Sequence, residues 1–191
     1  MTSAPLDPRQ AGRTPGRLAP GDAVTPRSLT TITGEQVRVP APHALVHLQF
    51  RRFAGCPVCN LHLRSVARRH QEIRDAGIVE VAVFHSTVEA MLPYQGDLPF
   101  ATVADPGKGL YRAFGVEASR RALLDPRVWP ALLRGATARR PGGPASGESA
   151  LGLPADFLIG PDGQVRALRY GRHADDQWPV DALLRLAAAH S

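Results

Sequence analysis

The 191-residue sequence predicts an α/β domain, a central mixed β-sheet flanked by helices. Three observations lead there. Between residues 44 and 114, apolar runs of strand length alternate with segments of helical period. Pro161-Asp162-Gly163 separates two further apolar runs and marks a closing hairpin. The only two cysteines, Cys56 and Cys59, stand where a strand run gives way to a helical one.

The elements follow in order. Residues 1 to about 20 are rich in Pro, Gly, Arg and Ala without periodicity, and are expected to form a disordered or loosely attached arm. Residues 21–191 then make one domain, the length being short for two. Leu29–Ile32 and Gln36–Val39 alternate across Thr33-Gly34, an N-terminal β-hairpin that Pro40 and Pro42 end. Ala44–Phe50 reads as a strand and residues 59–76 as a helix that Gly77 stops. Ile78–Phe84 is largely apolar, as in a strand covered on both faces of a parallel sheet. A short helix near Thr87–Leu92, a strand at Phe100–Ala104 and a helical turn at Lys108–Phe114 follow. Residues 118–136 have helical character broken by Pro126 and Pro130, and 137–150 read as a flexible Gly/Pro-rich loop. Ala155–Ile159 and Gln164–Tyr170 pair across the turn, and Val180–Ala189 is an amphipathic helix. This is the element order of the thioredoxin-like fold.

Composition narrows the function classes. No apolar run approaches the length of a membrane span, and residues 1–22 hold no apolar core of a secretory signal, so the cytoplasm is the expected compartment. Two cysteines cannot staple a scaffold and point to redox or metal chemistry there. The net charge of +6 comes from arginines scattered along the chain, without interleaved aromatics, so nucleic acid is not an expected partner.

Cys56-Pro57-Val58-Cys59 carries the chemistry. A helix N-terminus offers unpaired N–H groups and partial positive charge, which favour thiolate over thiol, and the thiolate is the nucleophile of disulfide exchange. Pro57 suits the first helical position. Cys56, at the helix entrance, is expected to attack, and Cys59, one turn inward, to resolve. Arg51 and Arg52 lie close enough in sequence to acidify the pair; the alternative is a pair of solvent-facing charges at a strand end. Cys56, Cys59 and His62 also fall at i, i+3, i+6, a partial zinc-ligand set with His85 as a conceivable fourth, though without a second C-x-x-C or H-x-x-H. His173, Asp175, Asp176 and Trp178 read as an acidic helix entrance.

Longer stretches carry a resemblance. Leu18-Ala19-Pro20-Gly21-Asp22 is one, and Phe50-Arg51-Arg52-Phe53 leading into Gly55-Cys56-Pro57-Val58-Cys59 another. Asp105-Pro106 with Gly109-Leu110-Tyr111-Arg112-Ala113-Phe114-Gly115-Val116 and Pro154-Ala155-Asp156-Phe157-Leu158-Ile159 with Asp162-Gly163 complete the set. Together they resemble the alkyl hydroperoxide reductase / thiol-specific antioxidant (AhpC/TSA) family, in its peroxiredoxin-like Cys-Pro-x-Cys branch. The likeness covers roughly residues 18–190 except about 118–150. It implies a thioredoxin fold and thiol-based antioxidant activity. Two landmarks depart. With Cys59 laid on the peroxide-attacking cysteine of peroxiredoxins, their Thr falls on Cys56 and their Pro on Arg52. The arginine they place before the late strand falls on Pro154. A proline there resembles the cis-proline of thioredoxins, so Pro154, with Pro57, is the expected substrate-binding residue. The buried carboxylate of thioredoxins falls on Phe50, which leaves His47 and His85 as candidate proton acceptors, or as packed histidines.

The sequence therefore points to a thiol–disulfide oxidoreductase and thiol-based antioxidant with Cys56 and Cys59 as catalytic residues. An atypical peroxiredoxin reducing hydrogen peroxide or alkyl hydroperoxides is the alternative, and a scaffold holding zinc or a partner through the dithiol is another. Expected partners are a disulfide or hydroperoxide substrate and a thioredoxin-type or low-molecular-weight thiol reductant. No bound cofactor is expected, and a homodimer is left open.

Overall fold

The computed structural model describes residues 16–116, 144, 148 and 152–190. The expected helical stretch at 118–136, nearly all of the 137–150 loop and residues 1–15 of the arm lie outside the described residues.

β1 (Arg27–Thr30) and β2 (Gln36–Val39) form the N-terminal hairpin. Next come β3 (Leu45–Phe50), α1 (Pro57–Arg68), α2 (His70–Asp75), β4 (Ile78–Phe84), α3 (Val88–Gln95), β5 (Ala101–Ala104) and α4 (Gly109–Ala113). β6 (Ala155–Ile159), β7 (Val165–Tyr170) and α5 (Val180–Ala188) close the chain. The main sheet runs β5-β4-β3-β6-β7. β3, β4 and β5 are parallel, while β6 is antiparallel to β3 and β7 to β6. The sheet is mixed, as the closing hairpin predicts, and the architecture is the thioredoxin-like α/β fold.

β3 lies at the centre with all six residues buried, so it needs suitable side chains on both faces. Alternation sends Val46, Leu48 and Phe50 one way. They pack with Val81, Val83, Val103, Phe157 and Ile159 into the larger core. Phe50 anchors it, with ring centroids 4.9 Å from Tyr111, 5.2 Å from Phe114 and 5.8 Å from Phe157. On the opposite face, Leu45, Ile78 and Leu158 pack with Val66 of α1, Ile73 of α2 and Leu183 of α5. His47 and Gln49 of β3 share that face, and they prepare the site described below.

Three local differences from the sequence reading have physical causes. The helix expected over 59–76 is two helices, because Arg69 leaves helical geometry (φ −111°, ψ 18°) and donates its N–H to Val66 one residue short of the α pattern. The Arg69 side chain then ties both Glu72 and Asp181 of α5. α3 continues past Leu92 through Pro93 to Gln95, whose buried amide is needed at the dithiol loop. The end of the arm, residues 16–20, is fastened rather than loose. Leu18 donates its N–H to the Tyr170 hydroxyl at 2.9 Å, and the Arg17 guanidinium lies 4.5 Å over the Tyr170 ring. No helix among the described residues is long and apolar enough to cross a membrane.

Gly115 permits that fastening. Its φ is +64°, and a Cβ there would stand 2.2 Å from the Gly16 carbonyl oxygen. Gly115→Ala is therefore expected to cost about 1–3 kcal/mol from strain and backbone displacement. Gly107→Ala, with nothing within 4 Å of the added carbon, should stay within about 0.5 kcal/mol of the parent. Urea denaturation of the two variants checks this, and equal midpoints would refute the close approach.

Candidate active site

Both sulfurs are free thiols and both are wholly buried, each at 0% exposure. Cys56 is the N-cap of α1, with extended backbone (φ −60°, ψ 113°), and Pro57 takes the first helical turn. The Cys59 N–H donates to Cys56 Sγ at 3.5 Å, so the sulfur occupies the place of a capping oxygen. Arg52 Nη1 donates to the same sulfur at 3.6 Å. Cys56, though at the helix entrance, is thus no more exposed than Cys59. Phe53 and Val58 pack with both cysteines.

The two side chains interact, so the acidity of one depends on the proton of the other. Burial pushes Cys56 well above the usual thiol value, and its interaction with Cys59 adds to this, against the opposing charge of Arg52. Burial also works against a charge on Cys59. The Cys56 side chain, the Arg52 guanidinium and amide, and Arg51 outweigh it and bring Cys59 down to about 7. The capping geometry favours Cys56 and the charge balance favours Cys59. They agree if the pair holds one proton, kept on Cys56, with the charge on Cys59.

The loop that carries the motif is pinned. Ala54 donates its N–H to Ser86 Oγ at 2.9 Å, and its carbonyl accepts from Asn60 Nδ2 and Gln95 Nε2, both at 2.9 Å. The carbonyls of Arg51 and Val83 both accept from the Tyr111 hydroxyl. Arg51 is 0% and Arg52 2% exposed, which overturns the alternative of solvent-facing charges at a strand end.

Burying Arg51 requires a counter-charge. Its Nη2 lies 2.7 Å from Asp156 Oδ1, 3.2 Å from His62 Nε2 and in contact with Gln49 Oε1. Gln49 in turn donates to Glu80. Glu80 holds His47 Nδ1 at 2.9 Å, and His47 Nε2 lies 3.4 Å from Asp156. Asp156 Oδ2 accepts the Trp178 N–H at 3.0 Å. Burial alone would push the His47 imidazole down, but Glu80 and Asp156 raise it to about 9. Burial would raise Asp156, yet Arg51 and His47 hold its carboxyl well below the usual carboxylate range. An imidazolium and a pinned carboxylate are poor proton acceptors near neutrality. His47 is therefore a packed, charged histidine rather than a base.

Pro154 does not behave as expected. Among the described residues the one cis peptide bond is Val39–Pro40, so the Leu153–Pro154 bond is trans. Pro154 is buried, and its carbonyl accepts the Gly171 N–H at 2.8 Å, closing the end of the β6–β7 hairpin. In this segment Gly152 is the residue seen against the site: a Cβ on it would lie 3.4 Å from His85 Cε1 and 3.7 Å from Arg52 Cγ. His85 is buried, with its ring edge-on to Tyr111 at 5.7 Å. His62 turns Nε2 toward Arg51, and among the described residues no three His, Cys, Asp or Glu side chains gather as a metal site. Asp176 pairs with Arg169 and caps the Arg172 N–H, a structural helix entrance.

Asp156, Gln49 and Glu80 are absent from the set of residues singled out in the sequence. Their signal is present, however: each is a polar residue inside an apolar strand run.

His62 provides a pH test of this arrangement. Burial and then Arg51 push its imidazole down to about 3, so it is neutral in the folded chain. The unfolded chain protonates it near the ordinary 6.5. Its contribution is thus complete above pH 6.5 and lost as pH falls toward 3. Between about pH 6.5 and 4 the urea midpoint should fall less in His62→Gln than in the parent. Parallel profiles would remove His62 from the network.

Comparison with known proteins accords with this geometry. The AhpC/TSA family pattern matches residues 20–168. No curated protein matches the chain. The peroxidoxin BcpB of Mycobacterium tuberculosis superposes with a TM-score of 0.66 at 18% identity, over 90% of this chain and 97% of that one. Peroxiredoxin Q of Xanthomonas campestris gives 0.61 at 20% identity, over 86% and 92%. A putative thiol:disulfide interchange protein DsbE of Chlorobium tepidum gives 0.57 at 20% identity, over 89% and 99%. At such identities these structures speak for the fold alone. The family pattern spans most of the chain, including the dithiol, and the chain belongs to the AhpC/TSA family.

Proposed function

We propose that this AhpC/TSA protein is a thiol-dependent oxidoreductase whose Cys56–Cys59 pair cycles between dithiol and intramolecular disulfide. One observation carries the reading: two free thiols, tied by the Cys59 N–H bond to Cys56 Sγ, share one helical turn at a helix N-terminus beside a buried arginine. With a disulfide substrate, the thiolate attacks one sulfur and releases a thiolate that takes up a proton. The second protein thiol then loses its proton, displaces the other substrate thiol and closes the ring. The substrate gains two electrons and two protons, and the protein loses them. A thioredoxin-type or low-molecular-weight thiol reverses the sequence.

Burial of both sulfurs favours a small oxidant over a folded protein disulfide. This supports a second reading in which the oxidant is a hydroperoxide. The thiolate attacks the terminal oxygen, the O–O bond breaks and alcohol or water leaves with a proton. The sulfenic acid then condenses with the other thiol, releasing water. Arg52 would serve the cationic role beside the sulfur that peroxiredoxins give to the position of Pro154. The acidity of Cys59 points to Cys59 as attacker and Cys56 as resolving thiol, the reverse of the order expected from the motif.

Stopped-flow fluorescence of the reduced chain, mixed with hydrogen peroxide or with a small aliphatic disulfide, separates the two oxidants. Oxidation should remove both free thiols per chain. Cys56→Ser and Cys59→Ser should each lower turnover by about 100-fold or more. The variant that keeps the attacking cysteine should accumulate sulfenic acid trappable by dimedone, or a mixed disulfide. Parental turnover in both variants would overturn the proposal.

A further inference from the structure

Arg51 is a charged side chain with no exposed surface, yet one edge of it has no partner. Its Nη2 serves Gln49, Asp156 and His62. Its Nε and Nη1 are buried without any hydrogen-bond acceptor. Such donors cost free energy unless an acceptor forms. Arg51 cannot turn to find one. Its N–H is bound to Val83 at 2.8 Å, its carbonyl to Tyr111, and its Nη2 to residues of β3, β6 and α1. His62, the α1 partner, lies on the same helical face as Cys59, one turn further on. The guanidinium therefore lies under α1, in contact with His62, and its charge acts on Cys59.

Resting on the dithiol reading above, we propose that Arg51 and Asp156 are a pair of positioning residues acting on the dithiol from the sheet side: Arg51 stabilises the thiolate, and Asp156 holds Arg51 in place and offsets part of its charge. Neither touches a substrate. The titratable or charged groups facing Arg51 are His47 and Glu80 on the sheet, Asp156 on β6, His62 on α1, Tyr111 on α4 and Arg52 beside it. Two positive charges (Arg51, His47) meet two carboxylates (Glu80, Asp156), with His62 neutral. Removing one member therefore leaves an unbalanced charge whose sign decides the effect on the thiolate. Charge balance makes the two partners act in opposite directions. A structural role would not, because loosening the site hydrates the thiols and moves either variant toward the ordinary thiol value.

The test is the thiolate absorbance at 240 nm, titrated against pH on the reduced full-length chain and its variants. It requires no turnover, so it stands apart from the success or failure of the proposed activity. Asp156→Asn should shift the first thiol midpoint to lower pH, by about one unit, a tenfold higher thiolate-to-thiol ratio at a given pH. Arg51→Gln should shift it upward by a similar amount, and Arg51→Gln with Asp156→Asn should return it toward the parent. If Arg51→Gln does not fold, Asp156→Asn decides alone, since the near-isosteric amide retains an acceptor for Trp178. A midpoint that is unchanged or raised in Asp156→Asn overturns the proposal, as do shifts of the same sign in both single variants.

Discussion

A guanidinium without water must find its counter-charge inside the protein, and Arg51 finds it on Asp156 at 2.7 Å. Much of the molecule is arranged around that ion pair. β6 runs antiparallel beside β3 and places Asp156 opposite Gln49, two residues before Arg51. Asp156 also caps the Trp178 N–H, which positions the chain entering α5. Trp178 then stacks on His47 with ring centroids 5.7 Å apart. One carboxylate thus joins the central strand, the late hairpin and the last helix. Breaking such a pair by removing one partner costs about 3–5 kcal/mol, because the remaining charge stays buried.

The dithiol inherits its surroundings from this arrangement. Arg51 ends the strand run and Arg52 begins the loop, so one guanidinium points into the sheet network while the next reaches Cys56 Sγ. The arginine that peroxiredoxins place just before the late strand falls here on Pro154. A cation beside the sulfurs is nonetheless present, supplied from four residues before Cys56. The departure in sequence is partly repaired in space, which narrows the distance between the two oxidants considered above.

Most of the fold could be read from the sequence, because it is written in local pattern. Ile78–Phe84 was bounded to the residue, being a largely apolar run that starts after Gly77 and ends before His85-Ser86. The β6–β7 hairpin followed from Pro161-Asp162-Gly163, and Gly77 does adopt the positive φ of a helix stop. The pair Cys56 and Cys59 was equally plain. What stayed hidden depends on partners distant in the chain. Arg51 and Asp156 are separated by 105 positions, and nothing local tells a buried arginine from a strand-end charge. His47 was visible as a histidine in a strand. Its charge comes from Glu80 and Asp156, which only the sheet register brings beside it. Pro154 was misjudged because a proline before a strand looks alike in cis and trans. The division of helix 59–76 turned on Arg69, whose tether to Asp181 likewise spans most of the chain.

The triple anchoring of Ala54 bears on how the protein would register its own redox state. A bond between Cys56 and Cys59 has to draw the two sulfurs together. The segment before them is held at Ala54 by Ser86, Asn60 and Gln95, so its backbone can yield little. The adjustment falls on the first turn of α1, where the Cys59 N–H bond to Cys56 Sγ lies. Asn60 sits in that same turn and accepts from Gln95 at 2.7 Å, at the end of α3. A change of one covalent bond in that turn would thereby reach a neighbouring helix through the hydrogen bond between the Asn60 and Gln95 side-chain amides.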